Sequence, residues 1–192
     1  MKFNSHSALE GRHALLSASQ YYWLNYTPEQ LSQYLETKRA SQLGTQLHNF
    51  AAMAIKLGKK MPRNRQTLSM YINDAIGYRM TPELLLVFSP FIFGTADAVS
   101  FRVEGDMDRP MLRIHDLKTG KNAASMKQLL VYAALFCLEY DIQPMDIYIE
   151  LRIYQNDEIV PFIPELTDIV PVMDKIRAFN EIILERMEEE NA

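Results

Sequence analysis

Asp116 and Lys118 stand two residues apart at the end of an apolar run, MLRIHDLK at 111–118. A strand repeats every two residues, so both side chains fall on one face. Asp97 lies in the preceding run, FIFGTADAVSF at 91–101, just after Gly94-Thr95. If these runs pair through the turn-like EGDMDRP at 104–110, the two carboxylates converge at one end of a sheet. Two carboxylates and an adjacent carbonyl suit a hard cation such as Mg²⁺ or Mn²⁺. A lysine beside them can stabilise a pentavalent phosphate transition state or orient an attacking water, so the set has a coherent use in phosphodiester hydrolysis.

An acidic-x-Lys triplet by itself carries little information, because about a quarter of residues in an ordinary chain are charged. The sequence holds its own decoy in Glu36-Thr37-Lys38, inside a helical stretch of loose amphipathic pattern. Context separates Asp116-Leu117-Lys118 from it. The triplet ends an apolar strand, is followed by Thr119-Gly120, and has a second strand-borne acid upstream.

The elements that must hold these residues follow from pattern. Residues 17–40 read as helical with a break near Thr27-Pro28, where Ser19 or Thr27 can cap. Residues 44–57 place Leu47, Phe50, Ala51, Ala54 and Leu57 at helical spacing, and Gly58 is placed to end the helix. A further helix is expected over 67–79. The runs 84–88, 91–101 and 111–118 read as a three-stranded antiparallel meander. Residues 125–140 form the clearest helix. Residues 146–155 alternate Ile147, Ile149, Leu151 and Ile153 against Tyr148, Glu150, Arg152 and Tyr154, as a strand does. A closing helix spans 168–190. The fold class expected is α/β, a small mixed sheet flanked by helices, in a single domain over 1–192: a helical part at 1–80, a sheet core at 81–155 and the closing helix.

The segment GTADAVSF…LRIHDLKTG…QLLVY resembles the core of RecB-like PD-(D/E)XK nucleases. That group has a His in a helix after Gly-Thr, matched by GTQLH and His48. It has an Asp after a small-residue turn, matched by Asp97 in GTAD, and acidic-x-Lys-Thr-Gly, matched by Asp116 to Gly120. It ends in Gln-x-x-x-Tyr, matched by Gln128 and Tyr132, and SASQYYWLNY is similar to its entry helix. The resemblance runs over roughly residues 17 to 155 and implies a restriction-endonuclease-like α-β-β-β-α-β core. It implies Asp97, Asp116, the Leu117 carbonyl and His48 as ligands of one or two Mg²⁺ or Mn²⁺ ions. Lys118 would orient the attacking water, and Gln128 and Tyr132 would meet substrate near the scissile phosphate.

Two departures stand out. Many RecB-like members carry an acid four residues after the histidine, where this chain has Ala52. Others bind an iron–sulfur cluster through four cysteines, and Cys137 is the single cysteine here, so no such cluster is expected. What the resemblance implies is a DNA nuclease, most nearly an exonuclease of phage or prophage recombination or repair, with a single-strand annealing protein as partner and a homo-oligomer as a suitable assembly. The rivals are a structure-specific or nicking endonuclease on the same site, and a non-catalytic DNA-binding module that keeps the fold.

The bulk properties fit this picture. The chain has 192 residues, net charge −4 and 48% hydrophobic residues, usual for one globular domain. Global basicity is absent, so a phosphate backbone would need a local basic surface. Lys56, Lys59, Lys60, Arg63 and Arg65 supply one with no acid among them, and Lys121 and Lys127 flank the proposed centre. Cys137 sits in an apolar run and reads as core, and His115 reads as structural. No apolar run suits a signal peptide or a transmembrane helix, so a cytoplasmic protein with no membrane partner, in a bacterial host or phage-infected cell, is the expectation.

Overall fold

The computed structural model describes residues 5–9, 11, 13–120 and 123–191. The chain forms two compact units, residues 1–42 and 43–192. The first holds a 3₁₀ stretch at Ala18–Asn25 and the start of helix α1 (Pro28–Lys56), whose part from Leu43 onward belongs to the second. Thr27 and Gln30 close a reciprocal cap: the Gln30 N–H donates to Thr27 Oγ1 at 3.3 Å and the Thr27 N–H to Gln30 Oε1 at 2.9 Å. The expected break at Thr27-Pro28 is present, but the separate helix beginning at Gly44 is not. Instead α1 runs unbroken for 29 residues. A lone glycine costs a helix about 1 kcal/mol against alanine, too little to stop it without a proline.

The second unit is mixed α/β. Its elements are helix α2 (Thr67–Gly77), strands β1 (Thr81–Ser89), β2 (Ile92–Arg102) and β3 (Met111–Leu117), helix α3 (Lys127–Glu139), strands β4 (Tyr148–Gln155) and β5 (Glu158–Phe162), and helix α4 (Leu166–Asn191). The five strands form one sheet in sequence order. Neighbours are antiparallel except β3 and β4, which run parallel because α3 carries the chain back between them. The meander is therefore found as expected, with an additional edge strand, β5. Asn156 and Asp157 join β4 to β5 in two residues with φ of 51° and 60°, the conformation a tight hairpin demands. The Asp157 carboxylate then accepts from the Thr67 N–H at 2.8 Å and so caps α2, whose own N-cap residue, Gln66, makes no side-chain cap.

Two apolar layers sandwich the sheet. Leu112, Ile114, Leu151 and Ile153 pack with Leu129, Ala133 and Phe136 of α3 and Ile169 and Met173 of α4. Cys137 lies in this layer, and burial pushes its thiol up to about 11. Across the sheet, Leu117 and Tyr154 pack with Tyr71, Ile72 and Ala75 of α2 and Ala51, Ala54 and Ile55 of α1. Central strands covered on both faces are normally apolar throughout. Here Arg113 and His115 are buried as well, both facing Glu150 of β4, which Arg152 also meets. Among the described residues no helix is long and apolar enough to cross a membrane.

Candidate functional site

The register between β2 and β3 pairs Ala98 with His115. One step further along each strand stand Asp97 and Asp116. The Asp97 carboxylate turns toward β3 and accepts the Leu117 N–H on Oδ2 at 2.8 Å. Asp116 is almost fully buried. Burial raises its pKa above the usual carboxylate range, the negative charge of Asp97 raises it further, and Lys118 partly opposes both. The Lys118 N–H donates to the Tyr154 carbonyl on β4. A trans peptide points its C=O opposite to its N–H. The Leu117 carbonyl therefore points away from β4, to the side on which β2 and Asp97 lie.

Helix α1 brings His48 to this point, with Nδ1 3.5 Å from Asp97 Oδ2. The Asp97 contact raises the His48 pKa against the opposing effect of burial. Gly44, one turn earlier, explains the approach: a Cβ there would lie 2.8 Å from Thr119 Oγ1, in the loop after β3. Replacing Gly44 with Ala should therefore displace α1 or turn Thr119, despite the better helix propensity of alanine. We expect Gly44→Ala to cost about 1–3 kcal/mol of folding stability, the usual range for forcing extra atoms into a packed contact. Gly44→Ala with Thr119→Ala should recover most of it, since the hydroxyl in the way is gone. Urea unfolding checks both, and a Gly44→Ala variant as stable as wild type would contradict the close approach.

Glu83, absent from the sequence reading, joins the group. Donor atoms of His48, Glu83 and Asp97 all lie within 4.8 Å of one another. Glu83 sits in β1 with φ of 53°, a left-handed conformation strained for glutamate. Partial burial and then Asp97 raise its pKa, while His48 and Lys56 pull it down. Its signal was the acid opening TPELLLVF, just outside a strand taken to begin at Leu84. Ala52, where many RecB-like members carry an acid, is buried and offers no donor.

On the other side of Asp116 a chain of hydrogen bonds leads into α3. Lys118 Nζ lies 2.9 Å from Asp116 Oδ2 and donates to Gln128 Oε1 at 2.8 Å. Gln128 Nε2 donates to the Tyr132 hydroxyl at 3.1 Å. Gln128 and Tyr132 are four apart on one helix face, and a Cβ on Gly94 would meet the Tyr132 ring at 3.0 Å. The structure thus brings together His48, Asp97, Asp116, Lys118, Gln128 and Tyr132. The buried Tyr71 phenol is held well above its ordinary pKa, first by burial and then by Asp97, Glu83 and Asp116.

His48, Glu83 and Asp97 make a donor set that could hold a hard divalent cation, with Asp116 beside it but outside that group, and the pKa values of Glu83 and Asp116 are both raised toward the neutral form. The cations of the basic segment are exposed, and Lys56 is close enough to act on Glu83. Lys60, Arg63 and Arg65 line a surface cavity of about 480 Å³ with Asn64 and Asn73. Lys127 is exposed beside Gln128, while Lys121 lies outside the described residues. His115 is buried and neutral, its pKa lowered to about 3 chiefly by burial. No protein-family model, curated protein or solved structure matches the chain.

Proposed function

We propose that this chain is a metal-dependent deoxyribonuclease of the RecB-like PD-(D/E)XK type, with a restriction-endonuclease-like core, acting as an exonuclease on DNA. One observation carries the reading. Asp97 of β2 lies within reach of His48 and Glu83, and on the adjacent β3 stands Asp116 with Lys118 already bonded to it. His48, Glu83, Asp97, Asp116 and the Leu117 carbonyl would hold Mg²⁺ or Mn²⁺. A cation bound there supplies electrostatic stabilisation of the charge that builds on the scissile phosphate.

The protein's own groups do the rest. Lys118 presents its ammonium at the edge of the acid cluster, where it can donate to an attacking water or a phosphoryl oxygen. Gln128 fixes that ammonium and is fixed in turn by Tyr132, so the donor is oriented before substrate arrives. The buried Tyr71 and Leu117 beneath the acids keep the local dielectric low, which strengthens each of these interactions. Lys56, Lys59, Lys60, Arg63 and Arg65 extend from the end of α1 as a surface for the phosphate backbone.

The test is digestion of end-labelled linear DNA and covalently closed circular DNA in Mn²⁺ or Mg²⁺, beside Asp97→Asn. The reading expects metal-dependent release of nucleotides from the linear substrate, an intact circle and an inactive variant. Cutting of the circle would make the enzyme an endonuclease on the same site. Degradation that survives in Asp97→Asn would remove the site.

A further inference from the structure

Helix α3 continues beyond Tyr132 in steps of four. Gln128, Tyr132, Phe136 and Tyr140 lie along one stripe, Tyr140 being the cap residue that closes the helix. The first two belong to the site. The last two stack on each other with ring centroids 4.7 Å apart, and Phe136 also meets Phe101 of β2 at 5.1 Å. Here the wall of the molecule opens into a cavity of about 460 Å³. Phe101, Phe136 and Tyr140 form part of its lining, with the guanidinium-bearing Arg79 and with Arg102, whose Nε donates to Glu104 at 3.2 Å. Phe101 and Tyr140 are 39% and 49% exposed as residues, so part of their surface is open to a ligand. Ser100 is buried in the same lining, and its Oγ has no hydrogen-bond partner in the structure.

We propose that this cavity is a nucleotide subsite, holding a base of the DNA strand whose phosphate lies at the acid cluster. The inference rests on the nuclease reading and adds to it. Aromatic faces beside guanidinium groups are what sequence-tolerant binding of single strands uses, since every base has a π-face and every nucleotide a phosphate. The cavity volume falls within the range of small-ligand pockets, and a mostly apolar lining with a few polar groups is their usual make-up. Eight residues of helix separate Tyr132 from Tyr140, about 12 Å at 1.5 Å each. A strand stacked at about 3.4 Å per nucleotide covers that in roughly four nucleotides. The subsite therefore grips the substrate some four nucleotides from the bond being cut.

Kinetics on single-stranded oligonucleotides of two lengths, about three and about eight nucleotides, test this with Mn²⁺ present. The variants are Tyr140→Ala and Arg79→Asn, both at exposed positions outside the acid cluster. Asn tolerates the φ of 50° that residue 79 adopts. Each variant should raise KM for the longer substrate about tenfold, within the usual range for a lost stacking contact. The KM for the shorter substrate, kcat on both and the melting temperature should stay at wild-type values. Unchanged KM on the longer substrate, or the same change on both lengths, overturns the subsite. So does a variant whose oligomeric state changes while KM holds, because the cavity is then a protein contact. A wild type that cuts neither length but digests linear duplex DNA overturns the single-strand subsite and leaves the nuclease reading standing, and one that digests no DNA removes both. A wild type that cuts both, with variant KM ratios of one, removes the subsite alone.

Discussion

Asp116→Asn should lower DNA hydrolysis by about 10³-fold or more while leaving the metal-free protein no less stable than wild type. The first half follows from charge: a ligand to a divalent cation contributes several kcal/mol to stabilising the developing phosphate charge, and each 1.36 kcal/mol is a factor of ten. The second half follows from burial. Burial first and Asp97 second hold the Asp116 pKa above its ordinary value. The folded state then binds that proton more tightly than the unfolded chain does. Its contribution to stability is present below the unfolded pKa and is lost as pH rises through the folded one. At neutral pH the metal-free wild type therefore carries a buried charge it would be better without, and asparagine keeps the shape and removes the charge. Mn²⁺ should raise the melting temperature of wild type, since it binds the folded state, and should raise that of the variant less, since one of the proposed ligands is gone. Thermal melts at about pH 7.5, near the top of the usual stability range, with and without Mn²⁺, read both effects. A metal-free variant that melts well below wild type would show that the buried charge is not a burden.

Glu150→Ala should cost about 3 kcal/mol of folding stability, the scale on which breaking a buried charge cluster falls. Glu150 Oε1 lies 2.7 Å from Arg152 Nε, 3.3 Å from Arg113 Nε and 4.0 Å from His115 Nε2. Both guanidiniums also stack over the Tyr78 ring, at 4.3 Å and 5.1 Å, and so cannot swing out to water without giving up that contact. Glu104 still meets Arg113, and Asp74 still meets Arg152, which holds the loss to the lower end of the range. For a chain of this length that is a fall in melting temperature of about 10 °C. Glu150→Gln keeps one acceptor oxygen and should lose about half as much. The same layer sets an acid limit. His115 stays neutral down to about pH 3 in the folded protein, while in the unfolded chain it takes up a proton near pH 6.5. Stability should therefore fall as pH drops below that, by about 1.4 kcal/mol per unit from this residue. Urea unfolding over that range checks the slope, and a flat profile would contradict a buried neutral imidazole.

The acids of β2 and β3 were legible because a period of two and one turn suffice to bring Asp97 and Asp116 side by side. The Gln128–Tyr132 pair was legible for the same local reason, four residues on a helix. Glu83 was not, because nothing local marks a glutamate whose backbone turns left-handed at the head of a strand. Its place beside His48 depends on β1 pairing with β2 and on α1 packing across the sheet. Strand β5 was missed because Asn156-Asp157 was not taken as a two-residue hairpin, and because Pro161 weakens EIVPF as a strand. The structure puts that proline on an edge strand, where its missing N–H is tolerated. The alternation of β4 correctly separated Glu150 and Arg152 from the apolar side. That their side is also covered, by α2 and Tyr78, required tertiary structure, since charged residues by themselves read as a solvated face. The continuity of α1 through Gly44 is a third case. Glycine weakens the helix there without breaking it, and the close approach to Thr119 gives the glycine its use.

The claim beneath all of this is that these residues hold a divalent cation. Anomalous diffraction from crystals grown with Mn²⁺ tests it most directly. The account predicts one or two strong peaks within about 2.5 Å of carboxylate oxygens of Asp97 and Asp116, with His48 and Glu83 on the same ions. Saturating Mn²⁺ that leaves this place without a peak, or a peak that persists in Asp97→Asn, would contradict it.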